Sequence, residues 1–187
     1  AMFFIPNIVS AVLVSFIWVF IFTNAMPALG EALGWNWLAN ISWFGTPTMA
    51  TVTIIVVSIW QNIGFLMIIY TAGLQTIPKD VMESAELDGC SGLKKVLKIE
   101  LPLLMPTVTI NLFVSISGAF KSFDIPNAMT GGGPYGSTMP VAMNIYQEAF
   151  TKYNLGYGSA KSVILFLTVA AVTLIQLYCT RKKEVEY

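Results

Sequence analysis

The sequence predicts an all-α membrane protein, and three observations carry that prediction. Of its 187 residues, 56% are hydrophobic and only 11% are charged, whereas soluble domains have about 25% charged residues. Four apolar stretches reach about 20 residues, the length that crosses a bilayer as a helix. Basic residues concentrate between the second and third stretches and after the fourth. In hydrocarbon, such stretches must be helical because every backbone polar group needs an internal partner.

The four predicted spans cover residues 3–22, 50–70, 101–120 and 160–178, and Lys161 is their one charged residue. A soluble helical bundle is the alternative, but its helices would show polar faces. We predict a single transmembrane domain over residues 1–187. Its loop at 71–100 is cytoplasmic, and its loops at 23–49 and 121–159 are on the outer side.

The orientation rests on the distribution of basic side chains. Seven of the ten Lys and Arg residues lie in the loop 71–100 or in the tail that holds Arg181, Lys182 and Lys183. The loop 23–49 has none. The positive-inside rule therefore places the first loop and the tail in the cytoplasm. Four crossings place the N-terminus of the chain on the same side.

Composition argues against several classes of function. The chain has no histidine, so it lacks the commonest acid–base catalyst and metal ligand. No paired carboxylates or metal-ligand cluster lie inside a span, which disfavours a membrane-embedded enzyme. A net charge of +0 does not indicate the excess of basic residues that is typical of nucleic-acid-binding proteins. Cys90 and Cys179 form no spaced pair, and we interpret both as free thiols.

The predicted cytoplasmic loop is the most informative stretch. Pro78 suits the first turn of a helix, and Asp80 and Glu83 favour the positive end of its dipole. Gly89 can adopt the left-handed conformation that ends a helix, and Ser91 can cap a second one. These features predict a helix–turn–helix along the membrane face. An ordinary amphipathic linker fits the same local chemistry.

The spacing within this loop resembles the signature loop of bacterial ABC-importer membrane subunits. The family pattern is Glu-Ala-Ala, three residues, Gly, nine residues and Ile-x-Leu-Pro. This chain departs from the pattern at Ser84, where the family usually has alanine, and has a cysteine at Cys90. The resemblance assigns ATPase coupling to Glu83, Ser84, Ala85, Asp88, Gly89, Ile99, Leu101 and Pro102.

Further segments are similar to the carbohydrate-uptake branch of that family, and above all to its maltose-type larger membrane subunit. They are the segments 4–7, 60–65, 72–78, 123–124, 130–134 and 156–160. The resemblance implies a type I ABC importer transmembrane fold, of which this chain has four transmembrane helices out of six. We therefore expect the early spans to be missing from an N-terminally truncated fragment.

The resemblance also implies a function. The chain would be a membrane-spanning subunit of an ATP-dependent sugar or oligosaccharide importer in the bacterial plasma membrane. Its partners would be a sister membrane subunit, two ATP-binding subunits and an extracytoplasmic solute-binding protein. ATP and Mg would bind the ATPase, because this chain has no Gly-x-x-x-x-Gly-Lys phosphate loop, and no cofactor is expected on it.

In that scheme the loop docks on the ATPase. Glu83 would make a polar contact, and Ala85 and Gly89 would allow close approach. Two alternatives stay open. One is a same-fold importer subunit for another solute, such as an amino acid or phosphate. The other is a non-transporting membrane anchor, although an anchor would not need the spaced loop.

The third span carries small and weakly polar residues at helical spacing. Such residues either allow close packing of membrane helices or line a solute path. They share one predicted face and comprise Asn111, Ser115, Gly118, Ala119 and Ser122. By similarity to maltose-type subunits, the path-lining candidates are Ser115, Gly118, Ala119 and Ser122, with Asn62 and Phe65 on the second span.

The predicted outer loop 121–159 contains a Gly-Gly-Gly-Pro turn at 131–134. The pattern also predicts a short helix at 140–150. A surface loop is the default interpretation, and docking of a sugar-binding protein is what the resemblance implies. Lys121 and Asp124, three residues apart, are spaced for an orienting ion pair.

Overall fold

The computed structural model describes residues 2–182, and all regular secondary structure in that range is helical. This confirms the all-α prediction. Three of the described helices are long and apolar enough to cross a membrane, and one bent helix pair would make a fourth. Lys183 of the basic tail lies outside the described residues.

The helices, in chain order, are α1 (Ile5–Ile8), α2 (Ala11–Leu33), α3 (Asn36–Ala39), α4 (Pro47–Gln75), α5 (Lys79–Leu87), α6 (Gly92–Leu103), α7 (Met105–Phe120), α8 (Asp124–Thr130), α9 (Val141–Tyr146, continued by a π-helical turn at Gln147–Thr151) and α10 (Leu155–Arg181). The predicted spans 50–70 and 160–178 lie inside α4 and α10. The span 3–22 overlaps α1 and α2, and the span 101–120 overlaps α6 and α7. The predicted loop 23–49 begins within α2, which runs on to Leu33.

The chain forms two compact units. The first comprises the described residues up to Gly64 together with Phe120–Leu165. The second comprises Phe65–Ala119 together with the described residues from Phe166 onward. The core of the first unit is apolar and partly aromatic. Its buried residues are Val14, Phe22, Ile54, Val57, Ile125 and Met129, with Trp18, Trp43 and Phe44 packed against them.

The backbone leaves the helical conformation between α1 and α2. Val9 (φ −74°, ψ 138°) and Ser10 (ψ 133°) are extended. The Val9 carbonyl, which no longer lies in a helical ladder, accepts a 3.1 Å hydrogen bond from the side-chain amide of Gln61. Gln61 is buried on α4. Because an unsatisfied backbone group in hydrocarbon costs several kcal/mol, this bond accounts for a polar side chain on an apolar helix.

Gly64, one turn further along α4, makes room for the N-terminal segment. A Cβ built at this position would overlap the carbonyl of Phe3 and lie 2.8 Å from the Cα of Phe4. Only a residue without a side chain therefore lets the two backbones approach this closely. Gln61 and Gly64 together fix the N-terminal segment on α4.

Helices α6 and α7 meet at a 71° bend. Both lie in the second unit, apart from the last residue of α7. The bend falls at Leu104, between Pro102 and Pro106. Pro106 has no N–H to donate to the carbonyl four residues earlier, and its ring crowds that carbonyl. Proline is thus the cause of the bend, which separates the hairpin described below from α7.

Gly64→Ala is expected to lower the free energy of unfolding by about 2 kcal/mol, because the methyl group meets backbone rather than a movable side chain. Gly156→Ala on α10 is the control, since nothing lies within 4 Å of a Cβ there. Thermal unfolding in detergent checks both variants. Equal midpoints for the two would contradict the close approach of the segment to α4.

Candidate functional site

Helices α5 and α6 form the predicted helix–turn–helix, here called the α5–α6 hairpin (Lys79–Leu103). Helix α5 ends in a tight turn in which Cys90 N–H donates to the Ala85 carbonyl (2.9 Å) and Gly89 N–H to that of Glu86 (3.0 Å). Gly89 has φ +73°, in the left-handed region that ends helices. Ser91 holds the N-cap position of α6 but forms no side-chain cap bond.

An ion pair joins the two helices of the hairpin. Lys95 Nζ on α6 lies 2.7 Å from Glu86 Oε1 on α5. The hydrogen bond from Lys95, together with its charge, holds the pKa of Glu86 below its usual value. The Lys95 side chain lies along the hairpin while Glu86 remains exposed. The pair links the helices across the turn and so orients them.

The hairpin presents charged and apolar groups to its surroundings. Leu87 is 89% exposed and Leu93 is 78% exposed. Exposed leucines of this kind mark contact with another molecule when they cluster. The predicted coupling residues divide by exposure: Glu83, Ser84, Asp88, Gly89 and Leu101 are exposed, Ile99 and Pro102 are half-buried, and Ala85 is buried.

Ala85 is therefore not exposed on the surface of the hairpin. Its carbonyl accepts the backbone hydrogen bond from Cys90 that closes the turn. Glu83, Leu87 and Leu93 are among the residues that the hairpin exposes to another protein.

The small-residue face of α7 separates into two parts. Asn111 is buried, and its side-chain amide donates a 3.3 Å hydrogen bond to the Leu66 carbonyl of α4. This is the packing role that such residues have in membrane helices. The path candidates Ser115, Gly118 and Ala119 are exposed further along α7.

The remaining path candidates lie elsewhere. Ser122 is half-buried and follows the end of α7, so it is not on that helix. On α4, Asn62 is exposed and donates to the Ser58 carbonyl of its own helix (2.8 Å), and Phe65 is half-buried.

A second amide tie joins α7 to α10 within the second unit. The Gln176 side-chain amide donates to the Thr109 carbonyl at 3.3 Å and to the Thr180 hydroxyl at 3.3 Å. The side-chain oxygens of Asn111 and Gln176 are buried and accept no hydrogen bond. Both side chains thus act as donors that hold neighbouring helices together. The sequence pattern identified Asn111 but not Gln176.

Glu148 is the centre of a polar network that sequence reasoning missed. Its side chain is 10% exposed and lies 3.1 Å from Lys152 Nζ and 3.4 Å from Lys161 Nζ. Asn154 donates to its other oxygen at 3.0 Å. Lys161 also donates to Asn144 at 2.8 Å, so α9 is tied to the first turns of α10. The ion pair predicted for Lys121 and Asp124 is not formed, and both side chains are exposed.

Opposing effects act on the acidity of Glu148. Hydrogen bonds from Asn154 and Lys152, then from Lys161, outweigh the effect of burial and lower the pKa of Glu148 to about 2. Glu148 thus stays ionised throughout the physiological range. Among the described residues, no group of three His, Cys, Asp or Glu side chains could hold a metal ion. Cys90 and Cys179 are free thiols.

A helical chain of apolar spans, with a short helical hairpin and polar ties between spans, is a multi-pass membrane component. Residues 1–185 match the family described as binding-protein-dependent transport system inner membrane component. The chain belongs to this family, whose members are permease subunits and not themselves enzymes.

Two curated relatives cover nearly the whole chain. A probable starch degradation products permease, AmyD of Thermoanaerobacterium thermosulfurigenes, is 36% identical over 98% of this chain and 62% of its own length. The multiple sugar-binding transport permease MsmF of Streptococcus mutans is 34% identical over 99% of this chain and 63% of its own length. The chain thus spans less than two thirds of either relative.

Solved structures support the fold. The crystal structure of a bacterial ABC transporter that imports alginate matches with a TM-score of 0.84 and 20% identity, over 96% of this chain and 63% of that chain. The chain therefore has the type I ABC importer transmembrane fold that the family resemblance implied.

The network around Glu148 predicts that the turn at residues 152–154 loses stability at low pH. The pKa of Glu148 is about 2 in the folded chain, below its ordinary value of 4.5. Ionised Glu148 therefore stabilises the turn fully above pH 4.5, and this stabilisation is lost as the pH falls toward 2. Hydrogen-exchange protection of the Lys152 and Asn154 amides should fall across this range. Glu148→Gln should remove most of the pH dependence, and Glu31→Gln, at an exposed glutamate of α2, should retain it. An unchanged pH profile in Glu148→Gln would contradict the assignment.

Proposed function

We propose that this chain is a membrane-spanning subunit of an ATP-dependent carbohydrate importer, which forms part of the solute path and couples to a separate ATPase. The observation that carries the proposal is the α5–α6 hairpin, which presents Glu83 and two leucines on a preformed turn. Relatives whose names specify starch degradation products, multiple sugars, and trehalose and maltose support a carbohydrate as the solute.

The hairpin has the properties of a docking element. Leu87 and Leu93 are apolar anchors for a cleft on the ATPase, and Glu83 is a charged group beside them. The Gly89 turn and the Glu86–Lys95 pair hold the two helices in one orientation before contact. A preformed surface lowers the ordering cost of binding. The half-buried Ile99 and Pro102 sit where the hairpin joins the span.

The proposed topology places the hairpin and both ends of the chain in the cytoplasm, with residues 121–159 outside. The asymmetry of basic residues supports it: Lys79, Lys94, Lys95 and Lys98 lie in the hairpin, and Arg181 lies at the end of α10. ATP and Mg bind the ATP-binding partners. A sister membrane subunit completes the path, and an extracytoplasmic solute-binding protein delivers the solute.

Transport proceeds by alternating access. ATP draws two ATP-binding subunits together, and the hairpin docked on one of them moves with it. The Pro106 bend and the amide ties of Asn111 and Gln176 link that movement to α4, α7 and α10 within the second unit. Such a rigid-body change is a ligand-biased equilibrium between two states. Ser115, Gly118 and Ala119, exposed on α7, are the proposed lining of the path, with Asn62, Phe65 and Ser122 as further candidates.

Glu83→Lys and Gly89→Val should reduce ATP-dependent uptake to background while membrane insertion stays normal. The first reverses the docking charge, and the second forces a β-branched side chain into a positive-φ position, which disfavours the turn. Matched controls are Glu31→Lys, at an exposed glutamate of α2, and Gly34→Val, at a glycine with φ +69° and equal space. Normal uptake by either hairpin variant in vesicles would refute the docking role.

The solute class is tested by uptake into proteoliposomes that contain the subunit in its full natural length with its partners. A panel of maltose, trehalose, maltooligosaccharides and alginate oligosaccharides should include a transported sugar. The panel should also contain sn-glycerol 3-phosphate, because a permease for that solute is 33% identical over 97% of this chain. Uptake of the phosphate ester alone would favour that second solute, and uptake of no sugar would refute the carbohydrate proposal.

A further inference from the structure

Tyr153 lies between α9 and α10 in an unusual conformation. Its φ is +59°, in the left-handed region, and its side chain is 86% exposed. A tyrosine with positive φ is uncommon, because its Cβ crowds the backbone. Such a residue persists only where the surrounding structure determines its conformation.

The residues on both sides of Tyr153 are tied to Glu148. Lys152 Nζ and Asn154 Nδ2 each contact the Glu148 carboxylate, at 3.1 Å and 3.0 Å. Their backbone N–H groups donate to the carbonyls of Gln147 (2.9 Å) and Glu148 (3.0 Å). Four bonds therefore hold the turn and leave the tyrosine ring outside it.

The turn is also fixed on α10. Lys161 of that helix bonds both Glu148 and Asn144, and Gly158 lies against Ala149, where an added Cβ would be 2.7 Å from the Ala149 Cβ. The carboxylate is therefore shared between the turn and the start of α10. The turn that carries Tyr153 is therefore bonded to both α9 and α10.

Tyr135, also in the predicted outer loop 121–159, shares the positive φ and the exposure of Tyr153. It has φ +55° and is 96% exposed. Among the described residues, these two tyrosines are the only non-glycine residues with positive φ. Neither ring stacks on another aromatic ring in the described part of the chain. Each tyrosine adopts a disfavoured backbone conformation and gains little packing inside the chain.

Exposed tyrosines serve two purposes in membrane proteins. They anchor helix ends at the lipid headgroups, or they form the centres of protein interfaces, where tyrosine is enriched. Tyr157 and Tyr178, near the two ends of α10, have the position of lipid anchors. Tyr135 and Tyr153 lie outside the spans, and Tyr153 stands beside the exposed, ion-paired Lys152. A charged and aromatic surface of this kind fits a protein partner.

We propose that Tyr153 and Tyr135 are docking contacts for the extracytoplasmic solute-binding protein, and that Glu148 is a positioning residue that holds Tyr153 in place. This rests on the proposed function, which puts residues 121–159 on the outer side. Four hydrogen bonds already order the backbone of the Tyr153 turn, so little backbone entropy is lost there on docking.

The test uses the transporter assembled in proteoliposomes, with its purified solute-binding protein loaded with the sugar that the uptake panel identifies. Tyr153→Ala and Tyr135→Ala should each raise the binding-protein concentration for half-maximal uptake by about tenfold, the range for an interface tyrosine. The maximal rate should stay unchanged. Tyr178→Ala, at an exposed tyrosine near the other end of α10, is the control and should leave both values unchanged.

Glu148→Gln should raise the same half-maximal concentration while keeping the maximal rate, because it frees the turn and leaves the rings intact. A merely structural role would lower the maximal rate and the amount of folded transporter instead. Benzoylphenylalanine at position 153 should give a photo-adduct with the binding protein, and at position 178 it should not.

An adduct of position 153 with lipid alone would overturn the docking site, and so would unchanged half-maximal concentrations in both tyrosine variants. In those cases wild-type uptake remains normal, and the proposed function stands. Wild-type uptake that ignores the binding protein would overturn the proposed function and the docking site together.

Discussion

A polypeptide in hydrocarbon must satisfy its own backbone hydrogen bonds, and the rest of this structure depends on that constraint. It makes α4 and α10 long unbroken helices of 29 and 27 residues. It also determines what happens where a helix stops. At Val9 and Ser10 the ladder is interrupted, and Gln61 donates to the freed carbonyl. At Leu104 the chain bends beside Pro106, and the turns on both sides keep their backbone bonds. Irregular backbone persists only where another group compensates for it.

Polar side chains act as ties within each unit. Gln61 and Glu148 serve the first unit, and Asn111 and Gln176 serve the second. Interhelical hydrogen bonds in membranes contribute about 1 kcal/mol each, so none of them dominates stability. Their main effect is on the register between neighbouring elements, because apolar packing alone is not directional. The Glu148 network extends this to a turn outside the spans, where it holds an exposed tyrosine in a disfavoured conformation.

Sequence reasoning recovered what local chemistry determines. Pro78 and Gly89 marked the limits of α5, because proline fixes φ at a helix start and glycine tolerates the positive φ that ends a helix. The apolar runs marked the long helices. The break at Val9 and Ser10 carried no such marker, since its partner Gln61 is 52 residues away. The Glu148 network was missed for the same reason: Lys161 lies across a turn on another helix. Exposure of Leu87 and burial of Ala85 likewise follow from tertiary packing. The coupling and path roles stay predictions.

The central claim is that the α5–α6 hairpin contacts a separate ATPase. Cysteine at position 87, introduced after replacement of the two free thiols Cys90 and Cys179 by serine, allows a direct measurement. A short thiol-reactive photo-crosslinker attached there, in membranes that contain the assembled transporter, should give an adduct with the ATP-binding subunit. A crosslinker at the exposed position 31 of α2 should not. No ATPase adduct from position 87, in a transporter that hydrolyses ATP and takes up its solute, would contradict the account.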